Sequence, residues 1–159
     1  MKPTPRFLVS DPAHFVALGF GSGLAPKAPG TFGTLAGWAL FPFVSAPLSD
    51  AMFAALLVAC FLFGVLACER TGRALGVADH GSIVWDEIVA IWLVLWLTPA
   101  TLAWQAAAFV TFRFFDIVKP PPIRWVDERT RGGFGVMLDD LLAAGYSLLV
   151  LAILMRIIG

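Results

Sequence analysis

Asp79-His80-Gly81-Ser82-Ile83-Val84-Trp85-Asp86-Glu87 runs directly into Ile88-Val89-Ala90-Ile91-Trp92-Leu93-Val94-Leu95-Trp96-Leu97. Two adjacent carboxylates thus stand at the mouth of an uninterrupted apolar segment. Ionised groups are costly beside hydrocarbon and persist there only against a cation, a partner charge or a polar cavity. The segment reads as a membrane helix, and Asp86 and Glu87 mark a candidate functional site at its end.

The whole chain shares this character. Its 159 residues are 59% hydrophobic and 14% charged, with a mean hydropathy of +0.85. Soluble domains are about half apolar and a quarter charged, so the composition indicates a membrane protein. The length allows one domain, residues 1–159. A formal net charge of +0 gives no general basic field for nucleic acid. Cys60 and Cys68 lie in or beside an apolar run without ligand-type neighbours and read as core or lipid-facing residues. Residues 1–13 carry Lys2 and Arg6 but no apolar run before a small-residue cleavage site, so no cleaved signal peptide is expected. With Pro3, Pro5 and Pro12, this stretch reads as an extended lead.

Downstream, Ala51 to Cys68 carries no charge and predicts a transmembrane helix. Ser49 or Asp50 would cap it. Glu69, Arg70 and Arg73 follow, and positive charge flanking a span marks the cytoplasmic side. Ser82 to Leu97 predicts a helix with Ser82 near its N-cap, broken by Thr98-Pro99-Ala100-Thr101. Leu102 to Val118 predicts another, stopped by Pro120-Pro121-Pro122. These two are read as a hairpin with both charged ends at the cytoplasm. The rival is one kinked span from Ile88 to Phe112. Lys119 to Val136 reads as a polar loop, and Leu141 to Ile158 as a last helix opened by Met137-Leu138-Asp139-Asp140. Residues 34–48 are apolar and interrupted by Pro42 and Pro47, leaving open whether they cross or re-enter. The expected fold is all-α, a polytopic bundle of about five helices with its polar loops on the cytoplasmic side.

The stretch Gly19-Phe20-Gly21-Ser22-Gly23-Leu24-Ala25-Pro26-Lys27-Ala28-Pro29-Gly30-Thr31 is too rich in glycine and proline for one regular helix. Glycine turns expose backbone N–H groups, and a helix starting near Thr31 adds its positive end, a combination that cradles anions. Gly21, Ser22, Lys27, Gly30 and Thr31 are the candidate phosphate contacts there. A tight re-entrant turn explains the same residues without a ligand.

On this topology four polar clusters meet at one interface. They are Asp79 to Glu87, Arg113 to Lys119, Arg124 to Arg131, and Asp139-Asp140. Arg113, Asp116 and Lys119 recur every third residue and are expected on one helix face. Gathered carboxylates repel one another without cations. Hard oxygen ligands suit Mg²⁺, which takes a few carboxylates plus waters and phosphate oxygens. Asp86, Glu87, Asp116, Asp139 and Asp140 are the candidate metal ligands. Arg113, Lys119 and Arg124 suit a phosphate. Asp79 and His80 are candidates for moving protons. Blander explanations exist for several: a local Asp116–Arg113 pair, Asp139-Asp140 answering a helix dipole, a solvated loop at Asp127 to Arg131, and a structural hydrogen bond at His80. The tryptophans read as belt and packing residues.

Other phosphoester chemistries lack their residues. No Cys is followed six residues later by Arg, no Asp-x-Asp-x-Thr/Val occurs, and His14 and His80 are the only histidines. Metal-assisted attack by water remains.

The same stretches resemble the bacterial phosphatidylglycerophosphatase A family. The likeness rests on Gly19-Phe20-Gly21-Ser22-Gly23-Leu24, Pro29-Gly30-Thr31, Asp79 to Glu87, Phe112-Arg113, Asp116, Lys119-Pro120, Pro122-Ile123-Arg124-Trp125, Asp127, Gly132-Gly133, Gly135, Met137, Asp139-Asp140 and Ala144-Gly145. It spans about residues 14–150. The extra Pro121 and the Phe114-Phe115 pair depart from the pattern without touching a carboxylate. The resemblance implies a Mg²⁺-dependent enzyme of the bacterial inner membrane, its site facing the cytoplasm. The implied reaction removes the terminal phosphate of phosphatidylglycerophosphate to give phosphatidylglycerol. The implied partners are that phospholipid and membrane lipids, with no nucleic acid, and the oligomeric state is left open. Two alternatives come from other classes: a phospholipid-head phosphotransferase, whose Asp-x-x-Asp-Gly pattern is missing, and a small ion- or proton-coupled transporter lined by Asp86, Glu87 and Asp116.

Overall fold

A computed structural model describes residues 1–158, and all regular structure among them is helical. The first segment is folded, not extended. Thr4 Oγ1 accepts from Phe7 N at 3.2 Å and opens α1 (Pro5–Leu8). Asp11 Oδ1 accepts from Ala13 N at 2.8 Å and opens α2 (Pro12–Ala17). In both, proline takes the first helical position, where its missing N–H costs nothing. Two of the three prolines that suggested an extended lead, Pro5 and Pro12, are helix starts. Gly19–Leu24 follows as 3₁₀ turns kinked at Phe20 and Gly21, both with positive φ.

Five longer helices make the body: α3 (Pro29–Ser45), α4 (Asp50–Leu75), α5 (Trp85–Trp96), α6 (Leu102–Val118) and α8 (Gly132–Ile158), with the short α7 (Ile123–Arg129) before the last. Only α4 and α8, of 26 and 27 residues, are long and apolar enough to cross a membrane by length and composition. Residues 34–48 mostly belong to α3, a continuous 17-residue helix despite Pro42. At 1.5 Å per residue it is about 25 Å long.

The apolar segment that opened the sequence is the centre of the protein. Ten residues of α5 are buried, from Trp85 to Leu95, because α3, α4, α6 and α8 all pack on it. A helix apolar all round belongs inside. It starts at Trp85, three residues later than the Ser82 signal suggested. The reason is tertiary: Val84 N donates to Ala17 O of α2 at 2.9 Å, and Ile83 N to His80 O at 2.8 Å, so this backbone is committed elsewhere.

Small residues let the neighbours close in. Gly30, Gly33 and Gly37 line the α3 face toward α5, where an added Cβ would meet Glu87, Val84 and Ile91 respectively. Such glycine stripes let helix backbones approach. The indole N–H of Trp92 donates to Gly37 O at 2.8 Å, tying the same two helices.

α5 and α6 are two helices separated by a break at residues 97–101, and Arg113 near the end of α6 reaches Glu87 at the start of α5. That is a hairpin rather than one kinked span. Residues 119–136 are not a simple loop. They hold α7 and the first turn of α8, which begins nine residues before Leu141. Glu69 of α4 accepts from Gly133 N at 2.7 Å and anchors that start, a role its place after an apolar run did not suggest.

Candidate active site

Asp86 and Glu87 lie in the first turn of α5, buried among the elements packed on it. Asp139 and Asp140 lie about two turns into α8, because that helix starts early. They are therefore not first-turn residues answering the helix dipole. Oxygens of Asp86, Glu87 and Asp140 all lie within 4.8 Å of one another. Three buried oxygens there, Asp86 Oδ1, Glu87 Oε2 and Asp140 Oδ2, have no hydrogen-bond partner. Unpaired buried carboxylates are strongly destabilising, and a hard divalent cation is the species that such a donor set suits.

Beside this triad stands Arg113. Its guanidinium pairs with Glu87 Oε1 at 3.3 Å and with Asp116 one helical turn on, while its Nε has no partner. The local Asp116–Arg113 pair is thus real, but it extends across the helix interface to Glu87. Gly30, at the start of α3, makes the room. A Cβ there would overlap Glu87 Oε1 and come within 3.1 Å of the guanidinium. Ala28 caps α3 without a side-chain acceptor, so the helix end carries its positive pole beside the pair.

A second acidic group, Asp79, Asp127 and Asp139, lies alongside. Lys119 sits in it, paired with Asp139 and, at 3.3 Å, with Asp127. Sequence spacing put Lys119 on the face of Arg113 and Asp116. Instead it ends α6 in a left-handed conformation, φ 46°, which swings it off the helix face. Burial weakens its charge, but the Asp139 hydrogen bond and the fields of Asp139, Asp127 and Asp79 outweigh that and raise its pKa. Asp79 presents an edge to solvent while protein crowds its carboxylate. That crowding raises its pKa, Lys119 pulls it down, and Asp127 and Asp116 push it up again.

The structure therefore divides the five candidate ligands. Asp86, Glu87 and Asp140 share one centre, Asp139 is engaged by Lys119, and Asp116 by Arg113. Asp127, read as part of a solvated loop, joins the second group. His80 makes a local contact, its Nδ1 accepting from Ser82 N at 3.1 Å. Ser22 Oγ donates to Gly19 O at 2.7 Å within its own turn, and Gly21 lies in that turn with a positive φ. Thr31 N donates to Ala28 O. Lys27 and Arg124 are exposed and form no ion pair among the described residues. Of the glycines in that stretch, Gly30 comes against the carboxylate–arginine centre, and Gly19, Gly21 and Gly23 meet other neighbours.

Fold and site define a class: an all-helical protein, two of whose helices can cross a membrane, with buried acids and fixed bases suited to phosphoester chemistry. The family model described as phosphatidylglycerophosphatase A matches residues 15–155. A phosphatidylglycerophosphatase A of Haemophilus influenzae is 48% identical over 151 residues, 94% of this chain and 92% of its own length. One from Escherichia coli K12 is 44% identical over 142 residues, 87% of this chain and 80% of that protein. A protein from Bacteroides thetaiotaomicron described as a putative phosphatidylinositol-3-phosphatase is 38% identical over 151 residues, covering 91% and 94%. No solved structure matches the chain. The chain belongs to the phosphatidylglycerophosphatase A family and is an enzyme, a phosphatase.

Proposed function

We propose that this enzyme is a Mg²⁺-dependent lipid phosphatase of the bacterial cytoplasmic membrane. It hydrolyses the terminal phosphomonoester of phosphatidylglycerophosphate to phosphatidylglycerol and phosphate, a step of phospholipid synthesis. The meeting of three unpartnered carboxylate oxygens from α5 and α8 beside Arg113 carries this reading. A phosphate dianion cannot approach such a triad unless a cation offsets it.

Asp86, Glu87 and Asp140 would hold Mg²⁺. Bound there, the ion supplies positive charge to the phosphoryl oxygens and lowers the pKa of a coordinated water. Arg113, fixed between Glu87 and Asp116, offers its free Nε–H and its charge to the phosphoryl group as negative charge develops. Lys119 adds a second fixed charge, held in place by Asp139 and Asp127. In the overall step water adds to phosphorus and gives up one proton, the bond from phosphorus to the glycerol oxygen breaks, and that oxygen takes a proton. We assign that proton to the Asp79–His80 loop beside Lys119. Asp139 and Asp116 position the two bases in this scheme. Arg70, Arg73, Arg113, Lys119, Arg124, Arg129 and Arg131 cluster toward the site end of the helices, which by the positive-inside rule faces the cytoplasm.

The test is phosphate release by detergent-purified protein from phosphatidylglycerophosphate and, in parallel, from phosphatidylinositol 3-phosphate. The expected result is turnover of the first that stops with EDTA and returns with Mg²⁺. Asp86→Asn and Asp140→Asn should abolish it. Full activity in EDTA would refute the metal assignment, and preference for the inositol lipid would refute the substrate.

A further inference from the structure

A groove of about 360 Å³ lies between α4, α5 and α8, and its walls present no polar atom. We propose that it binds one acyl chain of the phospholipid substrate. This rests on the lipid-phosphatase reading above and adds where the tail sits.

The groove has a direction. On α5, Asp86, Val89, Leu93 and Trp96 recur at three, four and three residues, so one stripe carries both a site carboxylate and the groove wall. At one end the walls are Val89, Phe61 of α4, and Leu141, the residue after Asp140. At the other they are Trp96 and Ala54. α4 runs antiparallel to α5: Trp85 Nε1 donates to Cys60 O at the site end, and Trp96 Nε1 to Asp50 Oδ1 at the far end. The groove therefore begins one helical turn from the carboxylates and runs away from them along α4. Because α4 is long and apolar enough to cross a membrane, that course leads from the headgroup level into the hydrocarbon.

Its position chooses the occupant. From Val89 to Trp96 the rise is about 10 Å, and every wall residue along it is apolar. A groove that starts one helical turn from the site carboxylates and stays apolar suits the tail of the same lipid whose phosphorylated head those carboxylates face. Val58, on the α4 side, is 60% exposed and leaves the groove open laterally to lipid.

Two variants fill the groove from different depths, Val58→Trp at its open edge and Ala54→Phe at its far end. Each is assayed on phosphatidylglycerophosphate with two long chains and with two six-carbon chains. Excluding about two methylenes should raise KM for the long-chain substrate roughly tenfold and leave the short-chain KM unchanged. Equal loss on both substrates, or no change on either, would overturn the proposal. Inactivity of the unmodified protein on both would instead mark failure of the function reading. The groove is then read without turnover. A phospholipid carrying a diazirine near the middle of one chain is photolysed with the full chain and the adducts are mapped by peptide mass spectrometry. Adducts concentrated on 54–61 and 89–96 and lost in Val58→Trp support an acyl site. Adducts spread evenly over the apolar faces of α3 and α8 refute it.

Discussion

Gly30→Ala adds one methyl group where α3 meets the Glu87–Arg113 pair. A Cβ there overlaps Glu87 Oε1 and presses on both terminal guanidinium nitrogens, at 3.1 and 3.2 Å. Replacing a helical glycine recovers up to about 1 kcal/mol of backbone entropy, while overpacking costs about 1–3 kcal/mol. The expected net loss is about 1–2 kcal/mol, or roughly 2–8 °C in the thermal midpoint for a chain of this size. The catalytic loss should be larger. Glu87 must move, and a displacement near 1 Å at a reacting centre costs about a hundredfold in rate. Gly37→Ala is the control. Its methyl meets Ile91 Cγ2 at 2.7 Å and Ile88 Cα at 3.2 Å on the same helix face, with apolar atoms as its nearest neighbours, so it should lower the thermal midpoint comparably and cost less in kcat. The assays are phosphate release and thermal unfolding in detergent. Equal activity of the two variants at equal stability would refute the claim that Gly30 exists to seat Glu87 and Arg113.

Lys119→Met should destabilise by about 2 kcal/mol: one-sided deletion of a buried pair costs about 3–5 kcal/mol, and here the partial exposure of Lys119 and Asp127 screens part of it. Asp127→Asn, at the more exposed partner, should cost less than about 1 kcal/mol; chemical denaturation in detergent ranks the two. Asp140→Asn replaces one of three crowded, unpartnered carboxyls with a neutral amide, so it should raise the thermal midpoint in EDTA and erase the stabilisation expected from Mg²⁺. In the unmodified protein that stabilisation should be worth about 2.7 kcal/mol at a hundred times Kd. His14 packs against Phe7 and Thr71, and burial lowers its pKa from 6.5, with Asp11 opposing and Arg70 adding. The unfolded chain then takes up the proton first. Stability is full above pH 6.5 and is lost as pH falls through the depressed pKa. His14→Gln should flatten that fall in thermal midpoints.

Local chemistry made some elements readable and tertiary bonds hid others. α6 is Leu102–Val118 as the sequence indicated, because Thr101 caps it and the Lys119-Pro120 step ends it. Ser49 caps α4 as expected. The start of α5 was misread because Ser82 is a good cap by type, whereas the decisive bond is Val84 N to Ala17 O, sixty-seven residues apart in sequence. The triprolyl run concealed α7, whose Ile123 is fully buried. The acids were legible as a group, since nothing else explains them at the end of so apolar a segment. Their division was not. Neighbours on a helix diverge by about 100°, so Asp139 turns to Lys119 and Asp140 to Asp86 and Glu87, and only the placement of α8 decides which goes where.

That division has an electrostatic consequence. Seven carboxylates, at positions 79, 86, 87, 116, 127, 139 and 140, surround two engaged bases, Arg113 and Lys119. Lys119 is paired in the second group and is spread over two of its three acids. Arg113 is likewise shared by Glu87 and Asp116. The triad therefore has no base to itself, and three of its buried oxygens remain unmatched after every protein pairing is made. A phosphomonoester would add further negative charge to the same place. In the low-dielectric surroundings of α5, charges of one sign a few ångströms apart repel strongly. On the proposed reading, productive binding of the lipid head requires a cation to precede or accompany it. The fixed bases alone are too few to draw the phosphate in, which makes the acids the means of attracting an anion.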